Sequence, residues 1–185
     1  QVASSFDEST IKDKNIINLA SELSYSKASN TLAKIVNSNQ RFKFDNSSLQ
    51  ILGCDSIFEF KGSAFGKPKN KQEAYERWLM MASNYGYLHT GHTILFCEFK
   101  NNSEDLICKN KIREVISSKI TFANLEENEI ENYVNTNEPL NCAGGFALEG
   151  RGGKYIEKIE GCFSNVMGLS LPWLRSQLVK KGIYI

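Results

Sequence analysis

Four short stretches of the chain carry residue types that can act on a polar ligand. In the first, Gly53-Cys54-Asp55-Ser56 follows the apolar run Leu49-Gln50-Ile51-Leu52. That order places Asp55 at the carboxyl end of an expected buried strand, where open α/β sheets put their ligands. A carboxylate there can orient a water or hold a metal, and it can equally turn the chain, as Asp commonly does in loops. The second stretch, Phe65-Gly66-Lys67-Pro68, fixes a lysine between glycine and proline. Its ammonium is a point charge suited to a phosphate oxygen, or simply a solvated turn. Gly62-x-x-x-Gly66-Lys67 is one residue short of a phosphate loop, and Pro68 replaces the hydroxyl that would meet magnesium, so that motif is excluded. The third stretch runs from Cys142 to Gly153 and has five glycines in ten residues, 144 to 153. Such a segment lets backbone amides approach a ligand closely, with Glu149 and Arg151 placed to clamp or read it; a bulged hairpin would use the same glycines. The spacing is not that of a dinucleotide fingerprint. The fourth, Phe6-Asp7-Glu8-Ser9, sets two acids before a helix, either as metal ligands or as charges favoured by the helix dipole. His89 and His92 have no Cys or Ser at a telling spacing and read as surface or packed residues.

The elements that must position these residues follow from periodicity. With 185 residues, 41% hydrophobic and 23% charged, the chain has the profile of one globular domain, 1–185. Its net charge of +1 supplies no basic excess for a nucleic-acid polymer. No apolar run approaches the length of a membrane span, and the opening residues do not read as a secretion leader. Five cysteines without a CxxC pair argue against zinc and for free thiols in a reducing compartment, the cytoplasm. Residues 13 to 37 repeat apolar side chains at helical spacing. Ile57-Phe58-Glu59-Phe60 with the turn Lys61-Gly62 predicts a hairpin arm. Asn70 with Glu73 predicts a capped helix carrying Ala74, Trp78, Met81 and Ala82 on one face. Tyr87–Lys100 and Leu106–Phe122 are expected strands. Asn124 with Glu127 predicts a second capped helix that stops before Pro139. Phe146-Ala147-Leu148 and Tyr155–Ile159 are expected strands around the glycines. A last helix begins near Ser170, with Pro172 in its first turn, and ends at Gly182. Alternating helices and strands define an α/β fold with a mixed sheet.

Taken together, these pieces resemble a family. Asp7-Glu8-Ser9, Lys27-Ala28, Gly53-Cys54-Asp55-Ser56, Gly66-Lys67-Pro68 and His89-Thr90-Gly91 follow in its order and spacing. So do Glu138-Pro139-Leu140, Ala143-Gly144, Glu149-Gly150-Arg151-Gly152, Ile159-Glu160-Gly161 and Asn165-Val166-Met167-Gly168-Leu169. The chain is similar to the Maf-type nucleoside triphosphate pyrophosphatases, also called septum-formation inhibitors, over residues 2 to 182.

The resemblance implies hydrolysis of a nucleoside triphosphate to the monophosphate and pyrophosphate, with a divalent cation (Mg2+ or Mn2+) assisting attack of water on the α-phosphate. It implies a house-cleaning role toward non-canonical or modified nucleotides. The implied fold is a long twisted mixed sheet flanked by helices, with two lobes and a cleft, as in inosine-triphosphate pyrophosphatase. On matching positions, Asp55 is the catalytic acid residue, usually described as the proton acceptor, and Glu8, Lys27 and Lys67 are polar active-site residues. Ser56 and Glu149 tune base choice, and Arg151 binds substrate. Asp55 and Glu8 are the expected metal ligands. A homodimer is the assembly this reading admits. The family's Ser-x-Ser-Pro-Arg-Arg segment is absent from the sequence, which begins at Gln1 where that segment should already have ended. The expectation is therefore a chain N-terminally incomplete relative to the family, lacking its first strand. Ser56 and Glu149 stand where thymidine- and uridine-triphosphate members carry Thr and Gln. The rival reading is a catalytically impaired relative that regulates cell division by binding partners.

Overall fold

The computed structural model describes residues 13–37, 48–99 and 106–184. They fall into two compact units, the first made from the described residues of Gln1–Asp55 and Gly91–Val115, the second from Ser56–Thr90 and Ile116–Ile185. The boundaries fall inside three long strands, β1 (Ser48–Phe60), β3 (Tyr85–Phe99) and β4 (Leu106–Phe122). With β2 (Ser63–Phe65) and β5 (Ile156–Glu160) these strands form a sheet in the order β2-β1-β3-β4-β5. The pairs at its two edges are antiparallel: Phe58 lies opposite Phe65, and Ile120 opposite Ile159. The expected α/β class, a sheet flanked by helices, is the fold the chain adopts.

In the first unit the helical period resolves into α1 (Ile16–Asn37), which buries Ala20, Leu23, Ser24 and Ala28. Leu32 and Ile35 add to a small apolar cluster with Ile51, Leu95 and Cys97. The helix can lie close on the sheet because two facing strand positions are glycines. A Cβ on Gly53 would stand 2.4 Å from the Ser24 carbonyl oxygen, and one on Gly91 would stand 2.1 Å from that of Ala20. The Ser24 and Thr93 hydroxyls meet at 2.9 Å in the same contact.

The second unit holds the larger core, in which Phe58, Trp78, Phe122, Tyr133, Phe146 and Tyr155 pack together. Most of these rings meet edge to face, as aromatic quadrupoles prefer; Phe58 and Phe146 do so at 5.2 Å between centroids. The helix α2 (Lys71–Met81) starts as expected, with the Asn70 side chain accepting from the Glu73 amide. The Glu73 carboxylate accepts from the Lys69 amide rather than returning to Asn70. The helix α3 (Glu127–Asn135) is capped by a Glu126/Glu129 box, two residues beyond the expected Asn124; Asn124 instead accepts from the Ser83 hydroxyl. The helix α4 (Phe163–Val166) follows β5, and α5 (Leu171–Val179) opens on Ser170 and stops before Gly182.

Two expectations are corrected. Residues 49–60 form one uninterrupted strand, so Asp55 sits in mid-strand rather than at a carboxyl end. Phe146-Ala147-Leu148 is irregular, not a strand. Gly144 and Gly145 before it hold positive φ, 71° and 76°, and Phe146 serves as a plug in the aromatic core rather than as a ladder member. The Lys61-Gly62 turn joins β1 to β2 with both residues at positive φ, 50° and 77°, the hairpin geometry that matches strand twist.

Candidate functional site

In the first unit, Lys27 on α1 and Asp55 on β1 form an ion pair through the ammonium and Oδ1. The close seat of α1 on Gly53 and Gly91 brings the lysine there, since Lys27 lies on the same helix face as Ala20, Leu23 and Ala28. Both side chains are largely covered, with relative exposures of 22% and 13%. Cys54 beside them is half-buried, and burial pushes its thiol up to about 12; the Asp55 charge acts in the same direction and Lys27 opposes it. The fold thus brings together Lys27 and Asp55, two of the expected site residues, as an ion pair, while Glu8 lies outside the described residues.

In the second unit, the half-buried Ser56 hydroxyl lies 2.9 Å from that of Thr90, which donates to the Asn165 carbonyl oxygen at 3.1 Å. Thr90 and Asn165 are fully buried. Asn165 is held by donating through Nδ2 to the Leu88 carbonyl and the Ser118 hydroxyl, and Ser118 in turn donates to the Cys162 carbonyl.

Also in this unit, the glycine-rich segment is organised by Glu138. Its carboxylate accepts from the Arg151 and Gly152 amides, each at 2.9 Å, and from the Tyr133 hydroxyl at 2.8 Å. Burial works to raise the Glu138 carboxyl, but the two backbone donors and Tyr133 outweigh it and hold it below the usual carboxylate range. Glu149 and Arg151 are exposed on this pinned turn, and Lys67 is exposed on the segment leading to α2. Cys142 registers three of these charges: burial raises its thiol first, Glu138 and Glu149 add to the rise, and Lys67 opposes it.

His89 and His92 are packed in β3. His89 joins Glu59 Oε2 at 2.9 Å and Ser117 Oγ at 2.7 Å. Sequence reasoning passed over Thr90, Asn165 and Glu138 as functional residues; their only signal was membership in the matched segments. Among the described residues no group of three or more His, Cys, Asp or Glu side chains comes together. Magnesium, however, is commonly held by one or two carboxylates together with substrate phosphates, and the hard oxygens of Asp55 fit that donor chemistry. No helix of the described residues is long and apolar enough to cross a membrane.

Comparison with known proteins identifies the family of the chain. The family described as Maf-like protein matches residues 1–181, and the chain belongs to it. A protein of Prochlorococcus marinus strain AS9601, named nucleoside triphosphate pyrophosphatase, is 58% identical over 180 residues, 97% of this chain and 89% of the relative. Relatives of the same name from strains NATL1A and MIT 9313 are each 45% identical, covering 98% and 96% of this chain and 85% and 86% of their own lengths.

Proposed function

We propose that the chain hydrolyses nucleoside triphosphates to the monophosphate and pyrophosphate, acting on non-canonical or modified nucleotides. The observation that carries this reading is the Lys27–Asp55 pair, held under α1 in a chain whose close relatives bear that activity in their name. Asp55 would orient the attacking water and take its proton on a carboxylate oxygen, the work of a general base. Lys27 would position Asp55 in the resting chain and offer its ammonium to phosphate, and Lys67 would compensate charge on the phosphoryl oxygens. The chemistry a divalent cation supplies when bound is further neutralisation of that charge, and Asp55 and Glu8 would hold it. Free thiols throughout suit a cytoplasmic setting; a homodimer is the proposed assembly, read by light scattering.

A carboxylate at 149 accepts hydrogen bonds only, so it pairs with the adjacent N1–H and N2–H of guanine and is repelled by the carbonyls of uracil and thymine. Guanine-type and 7-methylguanine triphosphates should be preferred over TTP and UTP, by about 10²-fold for buried polar mismatches. Pyrophosphate release with manganese, measured as kcat/KM across this panel, tests both levels. Glu149→Gln should shift preference toward the pyrimidines; an unchanged ranking rejects Glu149 as a base reader. Absence of turnover across the panel refutes the enzyme reading and leaves the division-regulating binding protein.

A further inference from the structure

We infer that Thr90 is a positioning residue that fixes the hydrogen-bond polarity of Ser56, so that Ser56 meets a nucleotide base only as an acceptor. The inference rests on the nucleotide reading above and names the base edge it selects. A hydroxyl has one proton to donate. The Asn165 oxygen that Thr90 contacts is a backbone carbonyl, which cannot donate, so the single Thr90 proton is committed to it. The 2.9 Å contact between Thr90 and Ser56 must then carry the Ser56 proton, with Thr90 Oγ1 accepting. Ser56 has no further proton to give, so toward a ligand its oxygen can act only as an acceptor.

The polarity is enforced from behind. Asn165 is fully buried, and its Nδ2 is spent on the Leu88 carbonyl and Ser118 Oγ. The Ser118 proton is spent on the Cys162 carbonyl. This chain of bonds seats the Asn165 carbonyl where Thr90 reaches it. Reversing the first link would have Thr90 donate to Ser56 and leave Thr90 Oγ1 and the Asn165 carbonyl oxygen 3.1 Å apart in a buried place with no proton between them. An acceptor at 56 recognises a base edge with a protonated ring nitrogen, such as N1–H of guanine and hypoxanthine. It opposes a bare ring nitrogen at the same place, as in adenine. Glu149, also acceptor-only, would select the same class of edge.

The test compares kcat/KM for GTP, ITP and ATP in the parent, Thr90→Val, Thr90→Ser, Ser56→Ala and the Thr90→Val/Ser56→Ala double variant. Thermal melting establishes that each variant is folded. The expected result is a GTP-to-ATP ratio that falls about tenfold in Thr90→Val, because the released Ser56 hydroxyl can turn and donate to N1 of adenine. Thr90→Ser should restore the ratio, and the double variant should match Ser56→Ala. An equal loss on all three nucleotides in Thr90→Val marks a merely structural residue and overturns the inference. A ratio that falls in Ser56→Ala but not in Thr90→Val overturns the polarity argument while leaving Ser56 as a base reader. A ratio unmoved in both, or a parent that turns over none of the nucleotides, overturns the base-reading role itself and the inference with it.

Discussion

Aspartate is poorly suited to the interior of a strand, and β1 tolerates Asp55 because Lys27 answers its charge and the neighbouring Ser56 hydroxyl is bonded to Thr90. These two side-chain partners explain why the polar group Gly53-Cys54-Asp55-Ser56 reads from sequence as the end of a strand and is in fact its middle. The residue types were legible; their partners, 28 and 34 positions away, were not, because periodicity carries no information about contacts so distant. The pair also makes a sharp expectation for catalysis. Asp55→Asn keeps the size of the side chain but removes the base and the charge that pairs with Lys27, so turnover should fall by about 10² or more, with thermal melting confirming that the variant stays folded. Turnover within a few-fold of the parent would leave Asp55 as a structural partner of Lys27 alone.

Two elements set the geometry around these residues, and each can be perturbed separately. The seat of α1 depends on the absence of side chains at Gly53 and Gly91. Because the atom facing Gly91 is backbone, Gly91→Ala cannot be absorbed by a rotamer change. It should cost about 1–3 kcal/mol, the usual range for overpacking, and weaken the Lys27–Asp55 contact. Denaturant unfolding together with turnover checks this, and a variant as stable and active as the parent would show that the helix adjusts freely. The turn at 149–153 depends instead on Glu138. Its carboxyl lies below the usual range when folded; a depressed folded value contributes stability at pH above the unfolded carboxylate range, and that contribution is lost as pH falls through the folded value. Melting temperature measured from about pH 6 to about pH 3 should therefore decline less steeply in Glu138→Gln than in the parent. Parallel profiles would exclude Glu138 as the source. The sequence announced this turn through its glycines but misread Phe146-Ala147-Leu148 as a strand. An apolar triplet is consistent with either a ladder or a core plug, and only the positive φ of Gly144 and Gly145 decides for the plug. The helix caps were legible to within two residues, since Asn124 and Glu126 both stand at the head of an acidic first turn.

Among the described residues, apolar burial is unequally shared between the two units. The second has a cluster of large aromatic side chains, while the first relies on Ala28, Ile51, Leu95 and Cys97 with partly buried neighbours. Local opening follows the density of buried apolar packing. In native-state hydrogen exchange the amides of Phe58, Trp78 and Phe122 should be the slowest, and those of α1 should exchange through smaller openings. Protection of α1 equal to that of α2 would contradict this ranking. The half-buried cysteine beside Asp55 has a consequence of another kind, in the response of the chain to oxidants. Peroxide attacks the thiolate rather than the thiol. With its thiol pushed up to about 12, Cys54 holds roughly one part in 10⁵ as thiolate at neutral pH. Cys108 is exposed. In half-buried Cys162 burial works to raise the thiol, but hydrogen bonds with Ser164, Ser170 and the backbone hold it below its ordinary value. Dissolved oxidant should therefore react at these two thiols before Cys54, leaving the strand that carries Asp55 unmodified.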